Sequence, residues 1–213
     1  MCLTGCSKSD GPSGGSSPAA TCTGTTAACS GSGTGWTPAD IKSSLDSCDG
    51  GAGTWAAAKA ANGGTDPTLV KGNSVIGTGG SVNTGTGVIT LDDKYDKCNT
   101  IETLIQETSN MSHKADFDKV DADAAAGKLS RDEYIRAKEK IEYQGVQKAL
   151  QAEKACTAKW GCSKNSFSYA SVTDSQATSF DDYFDHWLGS DHKDYWGNAW
   201  DSRYRDAYSA AHH

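Results

Sequence analysis

The chain has 213 residues, with 27 acidic and 20 basic side chains and a formal net charge of -7. This charge argues against nonspecific nucleic-acid binding, because no run of basic residues offsets the repulsion of phosphates. The length suits one folded domain after a short leading segment, and no run of about 18 apolar residues predicts a transmembrane span.

The first part of the chain differs in composition from the rest. Residues 1–35 consist mainly of Ser, Gly, Thr and Cys, which predicts a disordered linker. Residues 36–213 are predicted to form a single helix-rich domain. Within the linker, Leu3-Thr4-Gly5-Cys6 resembles the lipobox of bacterial lipoproteins, but no apolar run precedes it. A periplasmic lipoprotein is therefore the last-ranked of the functional hypotheses.

The cysteine pattern favours disulfides over a zinc site. The eight cysteines lack C-x-x-C pairs and lie at Cys2, Cys6, Cys22, Cys29, Cys48, Cys98, Cys156 and Cys162. Cys156 and Cys162 are close enough in sequence to close a small loop. Cys48 and Cys98 flank predicted elements, where a bridge would tie the front of the domain to its core. The pairing stays open, but disulfides indicate an oxidising compartment.

Short elements are predicted in the first half of the domain. Thr37 and Pro38 have the pattern of a helix start, and this helix is expected to end near Ser47. Glycines then predict a break before a second short helix over residues 55–61. Three glycine-punctuated, β-branched runs follow and predict hairpin strands, at residues 74–77, 80–82 and 87–91.

Longer helices are predicted in the second half. Asn99 has the pattern of a capping box before a helix with an apolar face, and a second helix covers about 113–126. Ser130 begins another capping box and a helix to about residue 155, which packs on the first. Helices from Ser179 and from about Asp191 complete an α+β fold, mainly α. It combines a small antiparallel hairpin or sheet with a four- or five-helix bundle, supported by disulfides.

One motif follows the last predicted strand. Strand 87–91 and helix 103–110, with Gln106, Glu107 and Asn110, resemble the strand and active-site helix of zincin metallopeptidases. In that family the helix reads H-E-x-x-H, where two histidines bind zinc and the glutamate is the general base. Here only the glutamate is retained, and amides are poor zinc ligands. We therefore expect no metallopeptidase activity, no metal site and no cofactor.

A second resemblance covers a longer run. Residues 104–145 are similar to bacterial toxin or effector domains of polymorphic and type VI secretion systems. That resemblance implies delivery by a secretion apparatus or delivery module into the periplasm of a target bacterium. It also implies a cognate immunity protein as partner.

Two glutamates are the candidate catalytic residues. Glu107 and Glu142 lie on helices that are predicted to be adjacent, and paired carboxylates act as acid and base in glycoside cleavage. The alternative is that Glu107 caps a helix or pairs with a lysine while Glu142 is solvated or ion-paired. His186 and His192 each follow an aspartate; a metal or base role is conceivable, but such clusters are common as surface caps at helix ends.

Aromatic residues recur near the carboxyl end. Trp196, Trp200, Tyr204 and Tyr208 are spaced by four positions, which places them on one helical face. The first three are predicted to bind a sugar or a partner protein. The alternative is that this stripe packs against the preceding helices.

Two functional hypotheses follow. The first is an exported antibacterial effector that acts in the target-cell envelope as a cell-wall hydrolase using a carboxylate such as Glu107. It requires a cleft in which Glu107 faces a second acid. The second is a noncatalytic protein-binding module on a degenerate zincin-like scaffold, in which Glu107 is buried, hydrogen-bonded and dispensable. The sequence leaves open whether the protein is an enzyme.

Overall fold

The computed structural model describes residues 35–73, 79–163, 177 and 179–212. The predicted strand at 74–77 lies outside this part of the chain. The same is true of the predicted linker, apart from Gly35, and of the four cysteines at positions 2, 6, 22 and 29.

The described elements are mainly helical, as predicted, with one small sheet. In the first half they are α1 (Pro38–Asp46), α2 (Asp49–Ala61), β1 (Thr68–Gly72), β2 (Gly80–Asn83) and β3 (Val88–Asp92). The longer helices are α3 (Lys97–Ser112), α4 (Lys114–Ala125) and α5 (Arg131–Trp160). The last are α6 (Phe180–Asp182), a π-helical segment (Tyr183–Trp187), α7 (Ser190–Arg203) and α8 (Arg205–His212).

The sheet has the strand order β1-β3-β2. Strands β2 and β3 are antiparallel, which confirms the predicted hairpin, and β1 adds to β3 in parallel. Sequence analysis did not predict β1, because its residues lack an alternating apolar pattern. Ile89 and Leu91 of β3 are fully buried and attach the sheet to the core.

The first helix begins as predicted, and the second is longer than predicted. Thr37 caps α1 and shares a capping box with Asp40, as the sequence indicated. Helix α2, however, begins at Asp49 and continues through Gly51, so the predicted glycine break was wrong. A side chain at Gly51 would overlap Leu45 of α1. The close approach of two helices explains why glycine is accommodated in α2 despite its low helix propensity.

Helix α3 lies at the centre of the fold. It contacts α1, α2, α5 and the β2–β3 hairpin, and every residue from Thr100 to Met111 is buried. Its N-cap is Asp96, whose side chain accepts a hydrogen bond from the Asn99 backbone at 2.9 Å. The predicted cap at Asn99 was therefore wrong, because an earlier aspartate satisfies the free backbone donors.

Helix α5 is 30 residues long and spans the domain. It begins with the predicted capping box of Ser130 and ends at Gly161, which has a left-handed φ of 70°. Helix α5 packs on α3 as predicted. Within the described ranges, no helix combines the length and the apolar character that crossing a membrane requires.

Two disulfides hold the carboxyl end of α5 to the front of the domain. They are Cys48–Cys156 and Cys98–Cys162, with Cα–Cα distances of 6.0 and 5.9 Å. The suggested small loop between Cys156 and Cys162 was wrong, because Cys156 in the last turns of α5 bonds to Cys48 and Cys162, which follows the helix, bonds to Cys98. The expectation that bridges would tie the front to the core is confirmed.

The last helices pack through aromatic side chains. Trp200 is buried and its indole Nε1 donates to the Leu129 carbonyl oxygen at 3.1 Å. Tyr204 lies with its ring centroid 5.4 Å from that of Tyr134 on α5. Tyr204 also ends α7, so the aromatic stripe extends over two helices, α7 and α8. These contacts place α7 beside α5.

Candidate functional site

A cavity of about 640 Å³ opens where the β2–β3 hairpin meets helices α3, α4, α5 and α7. The hairpin contributes mainly small and polar side chains. The helices contribute ionisable and aromatic side chains, among them Gln106, Glu107, Asn110, Phe117, Asp121, Lys138, Glu142, His192, Tyr195 and Trp196. The volume lies within the range of about 300 to 1,000 Å³ that is usual for ligand pockets.

Both glutamates predicted from the sequence line this cavity. Glu107 comes from α3 and Glu142 from α5, and their side chains are 7% and 9% exposed as whole residues. Gly80 allows β2 to approach α3 next to Glu107, since a Cβ at Gly80 would lie 2.5 Å from the Thr103 Cγ2. The structure therefore brings the two carboxyl groups to one enclosed space, while their catalytic role stays a prediction.

Two amides from α3 bind the carboxylate of Glu142. The Asn110 Nδ2 donates to Glu142 Oε2 at 2.6 Å, and the Gln106 Nε2 donates to the same oxygen at 3.4 Å. Amide hydrogen bonds of this kind stabilise a carboxylate in its charged form. Gln106 and Asn110 thus both act as donors to a glutamate.

The two glutamates differ in their surroundings. Burial, followed by the nearby charge of Glu142, raises the pKa of Glu107 to about 8, although His192 and a hydrogen bond with Asn110 oppose the change. Burial also raises the pKa of Glu142, which His192 and the two amides oppose. Glu107 consequently holds a proton at neutral pH, whereas at Glu142 two amide donors and His192 oppose the effects of burial and of the Glu139 charge without reversing them.

A histidine and a third glutamate lie beside this pair. His192 of α7 lines the cavity, and its Nδ1 lies 3.2 Å from the Glu139 Oε1. Glu139 is completely buried one helical turn before Glu142. Burial favours the neutral imidazole, but the bond to Glu139 and the charges of the three glutamates outweigh it and raise the pKa of His192 to about 9.

A buried lysine forms another part of the wall. Lys138 is 1% exposed, and its ammonium donates to the Phe117 carbonyl oxygen at 3.1 Å and pairs with Asp121 at 2.8 Å. The same ammonium lies 5.0 to 5.3 Å from the ring centroids of Phe117, Tyr134 and Trp196. Lys138 is thus held by one aspartate and three aromatic rings.

The three aromatic residues predicted to bind a ligand have different positions. Trp196 lines the cavity, with its ring 6.0 Å from that of Phe117. Trp200 lies in the interior, and Tyr204 is half-buried against Tyr134. Packing therefore accounts for Trp200 and Tyr204, and Trp196 is the member of the set that a ligand in the cavity would reach.

One residue beside the site, Glu139, was not singled out from the sequence. His192 was noted there as a surface cap or, alternatively, a metal ligand or base, and the surface cap was wrong because the ring contacts a buried glutamate. His186 does have the expected surface position and contacts Asp182 at 3.1 Å. The sequence did contain an indication of Glu139. It lies three positions before Glu142, and this spacing places both side chains on one face of α5.

The cavity brings two carboxyl groups and an imidazole close together, and groups of these kinds can take up and release protons. Among the described residues, no set of three or more His, Cys, Asp and Glu side chains is arranged to hold a metal ion. No family model, no curated protein and no solved structure matches the chain.

Proposed function

We propose that the protein is a hydrolase that cleaves glycosidic bonds by general acid–base catalysis with Glu107 and Glu142. The observation that carries this proposal is that the two carboxyl groups share one cavity, in which burial raises the pKa of Glu107 to about 8 and two amides donate to Glu142. An acid–base pair needs a protonated acid and an ionised base at a single pH.

Each glutamate has a distinct role in the proposed reaction. Glu107 donates its proton to the glycosidic oxygen as the bond to the sugar carbon breaks. Glu142 accepts a proton from the water that attacks that carbon. At the end of the reaction Glu107 is ionised and Glu142 is protonated, so exchange with solvent restores the starting state. Asn110 supports the step because it holds Glu142 in place.

The cavity wall suits a carbohydrate. Asn83, Thr84 and Thr86 on the hairpin supply hydroxyl and amide groups, and Tyr195 and Trp196 supply aromatic surface. Sugar rings combine polar edges with apolar faces, so both kinds of wall are used. We propose the glycan of the bacterial cell wall as the substrate class.

The biological setting that we propose is an exported effector acting in the envelope of a target bacterium. The two disulfides support a site of action where thiols are oxidised. The resemblance of residues 104–145 to secretion-system effector domains supports the same setting. Such an effector requires a cognate immunity protein, and occlusion of the cavity is the simplest means of inhibition.

The test combines growth with direct hydrolysis. The chain is expressed in a bacterium with and without periplasmic export, and purified protein is incubated with isolated cell walls while new reducing ends are measured. We expect killing only after export and release of reducing ends. Glu107→Gln should lower hydrolysis by about 100-fold or more. Glu102→Gln is the matched control, because Glu102 is buried on the same helix but does not line the cavity.

The outcomes separate two functions. Full hydrolysis by a folded Glu107→Gln variant would exclude Glu107 as the acid. The absence of killing and of reducing ends in the wild type would favour the second candidate, a noncatalytic protein-binding module. That candidate is supported by the burial of Glu107 and by the exposed rings of Trp187 and Tyr195, which are 37% and 39% exposed.

A further inference from the structure

His192 lies beside a group of buried acids. Its ring contacts Glu139 and lies close enough to Glu107 and Glu142 to respond to their charges. These three glutamates come from two helices, α3 and α5, whereas the histidine is supplied by α7. Helices α3 and α5 therefore supply all three acids. The positive charge of His192 lies beside them only when α7 packs on α5.

Glu139 explains why the ring must be positively charged. It is fully buried, its Oε1 contacts the His192 Nδ1, and its Oε2 has no hydrogen-bond partner within the described residues. A buried carboxylate without a cationic partner is strongly unfavourable. The Nδ1 atom of His192 is directed to Glu139. Nε2 is therefore the ring nitrogen that remains for contacts in the cavity, which this side chain lines.

The remaining ionisable groups around His192 do not replace it. Tyr183 from the π-helical segment is buried near Glu139 and Glu142, which together with burial raise its pKa, so it stays neutral. Lys138 on α5 pairs with Asp121 and donates to the Phe117 carbonyl oxygen, and its ammonium also responds to the charge of Glu142. His192 is the cationic side chain that makes direct contact with one of the three glutamates, Glu139.

We propose that His192 is a positioning residue for the acid–base pair. Held by Glu139, its imidazolium stabilises the negative charge on Glu142 and so leaves the shared proton on Glu107. The catalytic meaning of this inference rests on the proposed hydrolase function. The assignment of a positive charge to His192 does not rest on that function, since the charge can be measured without a substrate.

The direct test is an NMR titration of the glutamate carboxyl carbons in the intact chain, in the wild type, His192→Gln and His192→Lys. Without the imidazolium, we expect the midpoints of Glu107 and Glu142 to rise by about one pH unit or more. His192→Lys restores a positive charge and should return them toward the wild-type values. His186→Gln is the control, because its ring is exposed and bonded to Asp182.

The results distinguish this inference from the proposed function. Unchanged glutamate midpoints in a folded His192→Gln variant would overturn the inference, even if cell walls are hydrolysed. Raised midpoints, reversed by His192→Lys, would support it even if no glycan is cleaved. Where hydrolysis is present, His192→Gln should also move the acidic limb of the rate profile to higher pH, because Glu142 must be ionised. A uniform loss of rate with no shift would indicate a merely structural role.

Discussion

The Asn110 Nδ2 donates to Glu142 Oε2 at 2.6 Å and connects two helices across 32 positions of sequence. The other amide atom, Asn110 Oδ1, is buried without a hydrogen-bond partner among the described residues and faces Gly145 of α5. Helices α3 and α5 are therefore joined at the site by a polar contact. This contact requires both a correctly oriented amide and a glycine opposite it.

Replacement of Asn110 by alanine should destabilise the protein and raise the pKa of Glu142. The change removes the donor to a buried carboxylate, which costs about 1 to 3 kcal/mol in the free energy of unfolding. Urea denaturation measures this loss. Asn62→Ala is the control, because Asn62 donates only to the Thr65 carbonyl oxygen at the surface. Equal effects of the two substitutions would contradict the importance of the Asn110–Glu142 bond.

Gly145→Ala should lower the rate of hydrolysis clearly, while the melting temperature changes little. A Cβ at this position would lie 3.2 Å from Asn110 Oδ1 and 3.3 Å from Gln106 Cγ, so both amides must shift by a few tenths of an ångström. Alanine also favours the helix by about 1 kcal/mol, which offsets part of the crowding. Melting temperature and hydrolysis rate are measured together.

The matched control for Gly145 is Gly53→Ala on α2, where a Cβ meets nothing within 4 Å. That variant should become more stable with unchanged hydrolysis. A Gly145→Ala variant that behaves in the same way would show that the α3–α5 approach has no functional importance.

The stability of the protein should fall as the pH rises above about 5. The pKa of Glu107 is raised from 4.5 to about 8, so the folded state binds a proton that the unfolded chain releases, and stability decreases across that interval. The stability from His192, whose pKa is raised to about 9, is fully present below pH 6.5 and lost as the pH rises through 9.

Glu107→Gln isolates the first of these two contributions. The variant should match the wild type near pH 4.5 and exceed it in stability by several kcal/mol above pH 8, because a neutral amide replaces a buried charge. Chemical denaturation at several pH values provides the measurement. A constant difference at every pH would contradict the raised pKa of Glu107.

Removal of either disulfide should lower stability by about 2 to 5 kcal/mol. The Cys48–Cys156 bridge spans 108 positions and the Cys98–Cys162 bridge 64. The longer loop restricts the unfolded chain more, so loss of the first bridge should cost more, by roughly 0.5 kcal/mol in a chain-entropy estimate. Double alanine variants of each pair, compared by denaturation under oxidising conditions, provide the test. The reverse order would indicate that packing of the sulfur atoms is decisive.

The helices were largely predictable because their signals are local. Thr37 and Ser130 are capping residues whose partners stand three positions later, and both caps form as predicted. Strand β1 was missed, since residues 68–72 acquire their structure from pairing with β3. The continuity of α2 through Gly51 was missed for a similar reason: it depends on the adjacent Leu45.

The candidate site was predictable only in part. Glu107 and Glu142 were selected because their helices were expected to be neighbours, and both line the cavity. The position of His192 was not predicted, because no local pattern indicates that α7 returns to α5 and places this ring beside Glu139. Contacts between segments far apart in sequence arise from packing, which the spacing of residues on a single helix does not encode.

The position of the disulfides along α5 has a consequence for redox experiments. Cys156 lies about 21 Å along the helix axis from Glu142, since each residue adds about 1.5 Å. Reduction should therefore release the carboxyl end of α5, while the hydrogen bonds from the amides of α3 to Glu142 remain in place further along the helix. Under mild reductant, the denaturation midpoint should decrease while the titration midpoint of Glu107 stays constant. The two measurements would then report on separate parts of the molecule.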